Sequence, residues 1–414
     1  MKDSTFITRV VLKNYKSIAA CDVQLQPLTF LVGRNGSGKS NFLDALRFVA
    51  DALNSSLDHA LRDRGGLDDI RHRLSGPPYL NIRLEFTLPD SANGYYAFSI
   101  ESRSRGRYVV QTEECRIQKG QDNTPEAYFR VDNGKITDTS VKVAPAAVND
   151  RLYLVNASGL PEFRPVYDAF SRMGFYNFNP DIIRDLQDSD PGDMLMQDGS
   201  NLTSVFRQLS SDAKKNIEEY LAVIVPGVHK VHARKFGPKE TLQFKQYVAE
   251  DNHSLIFNAN NMSDGTLHAL GVLVALFQGD RAPEKRVPLV GIEEPEIALH
   301  PGAVAVLLDS LRDAAHRTQV IVTTHSPDLL EDKHIDVESI LAVKADDGNT
   351  VIAPVDDASK SVVQDRLFTV GELLRSNQLQ PDPAALPAAK KKQLSLSDFD
   401  KPKSAKAQSK GKHE

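Results

Sequence analysis

The chain has 414 residues, of which 41% are apolar and 25% are charged, and its formal net charge is −5. This length can bury more than one domain core, the composition is typical of a globular protein, and the negative charge gives no global indication of nucleic-acid binding. The sequence has no apolar run of ~20 residues and no signal peptide, which excludes a membrane protein. It has only two cysteines, Cys21 and Cys115, which excludes a disulfide framework and a four-ligand zinc site, so we expect a reducing cytoplasm.

The first half of the chain predicts strands and one long helix. Residues 7–12, 23–25 and 28–32 are short apolar runs typical of strands. After Lys39, apolar residues recur at helical spacing and predict an amphipathic helix with one buried stripe. Residues 81–140 hold four strand-like runs separated by Gly, Asn, Asp and Ser, which is the pattern of an antiparallel meander.

The second half predicts a helical region, more strands and a parallel sheet. Residues 158–225 are expected to be helical and rich in loops, and strands are predicted near 228–233, 242–248 and 254–257. A helix is predicted at 266–277. The runs 286–292 and 319–324 have a helical pattern between them at 304–315, and strand–helix–strand order indicates parallel pairing.

The C-terminal stretch from residue 381 differs in composition. It is rich in Pro, Ala, Ser and Lys, and its eight Lys against three Asp and one Glu give a formal charge of +4. We expect a disordered tail, which either stays solvated or contacts nucleic acid or a partner.

A phosphate-binding loop is predicted between the strand at 28–32 and the following helix. The segment matches G-x-x-x-x-G-K-[ST], in which glycines let consecutive N–H groups form a concave nest at a helix N-terminus. Lys39 would reach the β- and γ-phosphates and the Ser40 hydroxyl would ligate Mg²⁺. A chance Gly-rich turn is the alternative, and the flanking strand and helix disfavour it. The predicted ATP-binding residues are Gly33, Arg34, Asn35, Gly36, Ser37, Gly38, Lys39, Ser40 and Asn41.

Two acids, Glu293 and Glu294, end the apolar run 286–292. Nucleotide sites form at the carboxyl ends of strands in α/β sheets. Because neighbouring strand residues point to opposite sides, we assign Glu293 to Mg²⁺ and Glu294 to the water that attacks the γ-phosphate. A charged loop after a strand is the alternative when the segment is taken alone. Glu296 is interpreted as a loop or dimer contact.

A second anion site is predicted at Ser263, Asp264 and Gly265, which precede the helix at 266–277. One γ-phosphate does not need two such sites in one chain, whereas a second chain could supply the other. Taken alone, the segment fits an ordinary serine N-cap better. His325 follows the run 319–324, where a histidine beside the phosphate-loop strand could contact the γ-phosphate; a structural histidine is the alternative.

The order of these motifs resembles the ABC-type ATPases of the SMC, RecF and OLD group, often labelled AAA-family or AAA-21 ATPases in bacteria. The resemblance rests on residues 33–40, 263–265, 292–295 and 324–326, and on Leu-Lys-Asn-Tyr-Lys-Ser-Ile at 12–18. It implies that Ser263 and Gly265 form a signature motif that reaches the partner's nucleotide, with a D-loop at 295–301. Glu293 stands where the family usually has Asp, and the signature reads Ser-Asp-Gly-Thr.

The resemblance implies an α/β fold with an ABC-type P-loop core, a mainly parallel sheet, an antiparallel β subdomain and an inserted helical lobe. The expected domains are a split core at 1–60 and 260–380, the β subdomain at 61–157, a helical lobe with strands at 158–259, and the tail at 381–414. No residue is assigned to the family's glutamine loop.

The resemblance also implies a function: an ATPase with ATP as substrate and Mg²⁺ as cofactor, forming a homodimer or higher even oligomer through shared ATP sites. No long coiled coil is evident, and only about 55 residues separate the run 319–324 from the predicted tail, too few for a Toprim domain. We therefore expect an anti-phage defence ATPase with an operon-encoded effector. The alternative is a RecF-like repair ATPase on DNA; a transporter subunit or a non-hydrolysing P-loop protein fits less well. The basic stretch at 229–239 is either a DNA contact or a solvated loop.

Overall fold

Three β-sheets organise the residues that the computed structural model describes, which are 6–72, 78–119, 125–247, 254–279 and 286–386. Residues 387–414, most of the predicted tail, lie outside these ranges. Within them, no helix has both the length and the apolar character needed to cross a bilayer.

The strands are β1 (Ile7–Tyr15), β2 (Ile18–Gln24), β3 (Leu28–Val32), β4 (Tyr79–Thr87), β5 (Asn93–Ser102), β6 (Tyr108–Gln118), β7 (Pro125–Asp132), β8 (Lys135–Thr139), β9 (Gly174–Tyr176), β10 (Gln187–Asp188), β11 (Val228–Phe236), β12 (Lys239–Tyr247), β13 (Ser254–Asn258), β14 (Leu289–Glu293), β15 (Gln319–Thr324), β16 (Ile340–Asp346) and β17 (Asn349–Pro354). The helices are α1 (Lys39–Asn54), α2 (Leu57–Arg62), α3 (Leu67–Ile70), α4 (Tyr153–Ala157), α5 (Arg164–Ser171), α6 (Pro180–Arg184), α7 (Leu202–Gln208), α8 (Ser211–Ile224), α9 (Asp264–Phe277), α10 (Pro301–Ala315), α11 (Asp357–Gln364) and α12 (Val370–Arg375).

The predicted meander is part of a seven-stranded antiparallel sheet in the order β2-β1-β4-β5-β6-β7-β8. Alternate residues of these strands, such as Ile82, Leu84 and Phe86 on β4, are fully buried in one core with the apolar stripe of α1. Strands β1 and β2, from the range that the sequence assigned to the core, also pair into this sheet. The antiparallel sheet and α1 therefore share one hydrophobic interior.

The predicted parallel sheet is confirmed as the central part of a six-stranded sheet in the order β17-β16-β3-β15-β14-β9. Parallel pairing joins β9 to β14, β14 to β15, β15 to β3 and β3 to β16, and only β16–β17 is antiparallel. Glu293 lies opposite Thr323, and Thr324 lies opposite Val32. Because the carboxyl ends of parallel strands meet at one edge, this register places the acids and His325 beside the phosphate loop.

The third sheet consists of β11, β12 and β13 with the two-residue strand β10 at its side. Its inner face buries Val231, Leu242 and Phe244 in a core shared with α7, α8 and α9. Residue 248, predicted as the last residue of the β12 strand, lies outside the described residues. The region predicted as a helical lobe with strands therefore holds a small sheet with helices on one side.

Candidate functional site

The phosphate loop runs from the end of β3 to the start of α1 and depends on its glycines. Gly36 and Gly38 have φ angles of +76° and +99°, a region that side chains disfavour. A Cβ atom on Gly38 would lie 1.9 Å from the Thr350 Oγ1 atom, and one on Gly33 would lie 2.1 Å from the Val343 carbonyl oxygen. Positions 33 and 38 therefore admit only glycine in this arrangement.

A chain of hydrogen bonds braces the loop from behind. The Thr350 hydroxyl donates to the Ser37 carbonyl at 2.9 Å, and the Ser17 and Thr350 hydroxyls are 2.7 Å apart. Since the Thr350 proton is directed at Ser37, Ser17 donates to Thr350 and in turn accepts from the Asn41 amide at 2.6 Å. The side chain of Asn41, expected at the nucleotide, thus contacts Ser17. Sequence reasoning placed Ser17 only in the N-terminal strand motif and did not connect it or Thr350 to the phosphate loop.

Lys39 lies at the centre of the site with only 5% of its surface exposed. Its Nζ atom donates to the carbonyls of Gly33 at 2.8 Å and Arg34 at 3.1 Å. Burial lowers the pKa of Lys39, while the negative charges of Glu294, then Glu296, then Glu293 oppose that effect. The negative charges of three carboxylates therefore act on one lysine. Arg34, Asn35, Gly36 and Ser40 are exposed, whereas Ser37 is buried.

The two neighbouring acids have different partners. Glu293 is the last residue of β14, and its Oε2 atom accepts a hydrogen bond from the Ser40 hydroxyl at 2.5 Å. Glu294 has a φ angle of +45°, which is strained for a residue with a side chain. Its Oε1 atom lies 2.9 Å from Nδ1 of His325. One acid thus contacts the phosphate loop and the other contacts the end of β15.

Glu296 is more deeply placed than a loop or dimer contact would require. Only 8% of it is exposed, and its Oε1 atom accepts from the Thr324 hydroxyl at 2.5 Å. Burial raises the pKa of Glu296, and its Oε2 atom has no hydrogen-bond partner among the described residues. No local sequence pattern predicts this burial, because it depends on the turn after β14 folding back onto β15.

The predicted signature segment forms the N-terminus of α9. Ser263 is the N-cap, and its side-chain oxygen accepts from the backbone N–H of Thr266 at 3.3 Å. Ser263 and Asp264 are exposed. A Cβ atom on Gly265 would lie 2.3 Å from the Ala298 carbonyl oxygen, so glycine permits close contact with the turn after β14. Ser263 therefore caps α9, and Ser263 and Asp264 at this helix start remain exposed to solvent.

Two further contacts hold this helix start in place. Arg184, at the end of α6, bonds the Asp264 carboxylate and also donates to the Met262 carbonyl at 3.5 Å. His268 is buried one turn into α9, where burial lowers its pKa and the backbone of Glu294 and Pro295 opposes the effect. The helix is therefore in direct contact with the segment that carries Glu294.

Asn177 lies at the level of the two acids, a position that the sequence did not indicate. Tyr176 lies opposite Ile292 in the β9–β14 pair, so the exposed Asn177 comes next, at the level of Glu293. The three residues of β9 are too few for a strand period to be recognised, and only the pairing identifies this position.

Family comparison identifies a match over most of the chain. Residues 28–331 match the AAA_21 family, described as "AAA domain, putative AbiEii toxin, Type IV TA system". The chain is similar to the Old nuclease of Escherichia phage P2, with 21% identity over 357 residues, which cover 79% of this chain and 58% of that protein.

Two further relatives have comparable similarity. The Retron Ec83 probable ATPase of Escherichia coli is 23% identical over 431 residues, covering 88% of this chain and 76% of that protein. Endonuclease GajA of Bacillus cereus (strain VD045) is 22% identical over 355 residues, covering 78% of this chain and 56% of that protein. The chain thus spans somewhat more than half the length of the Old nuclease and of GajA.

Solved SMC heads share the fold. The SMC head bound to the C-terminal winged-helix domain of ScpA has a TM-score of 0.53 and 15% identity, covering 86% of this chain and 99% of that chain. A head domain with an extended coiled coil derived from Pyrococcus furiosus also has a TM-score of 0.53, with 12% identity and 87% and 99% coverage. The expected α/β, ABC-type architecture is confirmed.

Proposed function

This chain belongs to the AAA_21 family of AAA-domain ATPases, and on that premise we propose that it is a switch that binds Mg·ATP between two copies of itself and separates on hydrolysis. The observation that carries this proposal is that two adjacent acids contact different parts of the site. Glu293 is bonded to the Ser40 hydroxyl of the phosphate loop, whereas Glu294 is bonded to His325.

ATP would bind along the phosphate loop. Backbone N–H groups at the start of α1 and the positive end of that helix favour phosphate oxygens, and the Lys39 ammonium adds a charge that reaches past the loop. Burial of Lys39 strengthens its interaction with an anion, because fewer water molecules compete for it. The bracing of Ser37 by Thr350 would hold the N–H groups in position before the phosphates arrive.

The residues present fit a magnesium ion. Mg²⁺ prefers oxygen ligands and is commonly held by one or two carboxylates together with substrate phosphates. Here the Glu293 carboxylate and the Ser40 hydroxyl provide two neighbouring oxygen ligands. Within the described ranges, no group of three or more His, Cys, Asp or Glu side chains could hold a metal alone, so an ion here would depend on the phosphates. When bound, Mg²⁺ would offset charge on the transferred phosphoryl group.

Glu294 and His325 would act on the attacking water and the γ-phosphate. A carboxylate only accepts hydrogen bonds, so the Nδ1 atom of His325 carries a proton in the observed pair. A neutral ring then leaves Nε2 as an acceptor, which repels a phosphate oxygen. His325 can therefore donate to the γ-phosphate in two ways: as the imidazolium form, or after its hydrogen bond to Glu294 has broken. The second way would also free Glu294 to orient water.

The open start of α9 supports pairing of two chains. The Ser263 side chain accepts from the backbone N–H of Thr266, and the other N–H groups of the first turn have no intrahelical partner. Ser263 and Asp264 are exposed at this helix start, whereas Thr266 is buried. Two chains in head-to-tail, two-fold arrangement would each place this turn on the partner's γ-phosphate. Because Gly265 touches Ala298 and His268 faces the backbone of Glu294, the partner's nucleotide would also influence the acids of the chain that contacts it.

The cellular role follows by analogy with the relatives. Their names include a phage nuclease, an endonuclease and the ATPase of a retron, and the family description includes a toxin–antitoxin system. We assign the chain to bacterial anti-phage defence, in which the paired state restrains or delivers a separate, operon-encoded effector.

Pairing is tested with a variant that blocks the signature. In Glu294→Gln, which should bind ATP without turning it over, Mg·ATP should increase the mass measured by light scattering or the compaction measured by small-angle X-ray scattering. Adding Ser263→Arg, which places a bulky side chain at the exposed helix start, should abolish that change. Ser210→Arg is the matched control, because Ser210 is the exposed N-cap of α8, a helix equal in length to α9 at 14 residues.

The control separates a loss of pairing from the loss of a helix cap, which costs ~1 kcal/mol at either site. The shared-site mechanism is wrong if Glu294→Gln shows no ATP-dependent change in mass or compaction and Ser263→Arg leaves turnover intact.

A further inference from the structure

The third sheet has one covered and one open face. Its inner face packs Val231, Leu242 and Phe244 against α7 and α8, and each of these side chains is at most 2% exposed. The outer face carries large apolar groups that remain in contact with solvent: Phe236 is 43%, Tyr247 54% and Ile256 58% exposed. Exposed apolar side chains gathered on one sheet face are a usual mark of a binding surface.

The strand register shows which residues share the outer face. Residues directly opposite each other in an antiparallel pair project to the same side. The β11–β12 pairs on that side are Lys230–Lys245, His232–Gln243, Arg234–Thr241 and Phe236–Lys239, and of these residues Thr241 is buried. On β13, Ile256 lies opposite Lys245. Like charges directly opposite each other destabilise a sheet, and the Glu218 carboxylate, 3.0 Å from Lys230 Nζ, offsets part of this repulsion.

Acidic groups are scarce on this face. The only acidic residue within β11, β12 and β13 is Glu240, which is wholly buried and bonded to Ser204 beneath the inner face. At the rim, Lys230 pairs with Glu218 at 3.0 Å and Lys239 pairs with Asp188 at 2.9 Å.

The centre of the face keeps a positive field. Arg234 and Lys245 form no ion pair with any residue in the described ranges. The pKa of His232 is lowered, first by partial burial and then by the positive charges of Lys245 and Lys230, with Glu218 opposing. These charges therefore act on a common volume above the sheet.

The aromatic groups are arranged as flat platforms. The rings of His229 and Tyr247 stack with centroids 3.9 Å apart and planes 17° from parallel, which leaves the Tyr247 ring half exposed. The Arg234 guanidinium lies over the Phe236 ring at 4.8 Å from its centroid. Ring faces and a guanidinium plane in this setting accept a nucleobase by stacking.

We propose that this outer face, defined by Lys230, His232, Arg234, Phe236, Lys245 and Tyr247, binds single-stranded nucleic acid. Arg234 and Lys245 would hold phosphates, while Tyr247 and Phe236 would stack against bases. Stacking requires unpaired bases, which a duplex does not offer, and an acidic peptide would leave the ring platforms without a planar partner. The surface is separate from the ATP site residues, so the inference goes beyond the proposed function and does not rest on it.

The test measures fluorescence anisotropy of labelled oligonucleotides with the full chain. The probes are a single-stranded DNA and an RNA of about 20 nucleotides, longer than the ~4–16 nucleotides that one OB-fold covers, and a duplex of equal length. Arg234→Glu with Lys245→Glu should raise Kd for the single strands at least tenfold and should flatten the dependence of log K on log salt by about 1.4, since each phosphate contact contributes ~0.7. Tyr247→Ala should raise Kd at least fivefold with the salt slope unchanged.

The matched control is Lys135→Glu with Lys142→Glu, the same charge change at exposed positions of the large antiparallel sheet and the loop that follows it. This control should bind like the unsubstituted chain, and circular dichroism checks that every variant is folded. ATP turnover measured on the same samples should be unchanged, which distinguishes failure at this surface from failure of the ATP mechanism.

Several results would overturn the proposal: no binding of either single strand at low salt, binding of the duplex alone, equal binding of poly-glutamate, or equal losses in the control and the Arg234/Lys245 variant. Selective loss of single-strand binding in the surface variants supports it, and a preference between the DNA and RNA probes identifies the natural strand.

Discussion

The division of labour between Glu293 and Glu294 is testable by converting one carboxylate at a time to its amide. In Glu294→Gln the amide oxygen can still accept from Nδ1 of His325, so the 2.9 Å contact is retained while the negative charge is lost. General-base catalysis contributes ~10²–10⁴-fold in rate. Turnover should therefore fall by about 10² or more, which corresponds to a barrier higher by about 2.7 kcal/mol.

ATP affinity should not fall in the same variant. Burial lowers the pKa of Lys39, and Glu294 opposes that effect more strongly than Glu296 or Glu293 does, so the Glu294 charge is strongly felt at Lys39. The same charge repels the phosphates that Lys39 is proposed to bind. Its removal should leave the Kd for ATP unchanged or lower it, and loss of turnover with retained binding separates a catalytic defect from a folding defect.

The assay combines single-turnover phosphate release with a titration of fluorescent ATP. The matched control is Glu293→Gln, which replaces the partner of the Ser40 hydroxyl and should raise the Mg²⁺ concentration needed for half-maximal binding. Full turnover in Glu294→Gln, together with unchanged Mg²⁺-dependent binding in Glu293→Gln, would refute the assignment of the two acids.

Two other predictions concern the phosphate loop and the antiparallel sheet. Lys39→Ala removes the buried ammonium and should weaken ATP binding at least tenfold, about 1.4 kcal/mol; unchanged affinity in a titration would rule out the loop as the phosphate site. Glu113 is wholly buried, and burial raises its pKa to about 7, against hydrogen bonds from Tyr153, Leu154 and Tyr96 that lower it. The folded state therefore binds this proton more tightly than the unfolded chain does, so stability should fall as pH rises from about 4.5 to 7 and level off above, by about 3 kcal/mol in all. Urea unfolding at pH 5 and pH 8 measures the change, which Glu113→Gln should largely remove; equal pH dependence in both proteins would show that Glu113 is not its source.

Hydrophobic patterning in the sequence reveals the central strands of the parallel sheet but not the shortest strands. The run 28–32 and the run 319–324 correspond residue for residue to β3 and β15, because each is dominated by apolar and β-branched residues and is bounded by polar or turn-forming residues. The prediction that these strands are neighbours is confirmed by their parallel pairing. Strands β9 and β10, with three and two residues, carry no period and were not predicted.

The amino-acid sequence by itself determined the chemistry of the nucleotide site. The phosphate loop, the two acids and the helix start at Ser263 are local patterns, since a loop glycine, a strand-end carboxylate and an N-cap serine each act within a few residues of their own position. Such local patterns can be recognised in a sequence without knowledge of the fold.

Only the tertiary structure decided which distant groups complete that chemistry. Ser17 and Thr350 are 333 residues apart in the chain, yet together they brace the loop. The burial of Glu296 and the contact between Gly265 and Ala298 likewise depend on how the turn after β14 packs. The outward face of β11 depends on which side of the third sheet the helices cover, because alternation assigns residues to two faces but does not say which face is buried. Local geometry follows from neighbours in sequence, whereas burial and long-range hydrogen bonds follow from the packing of whole elements.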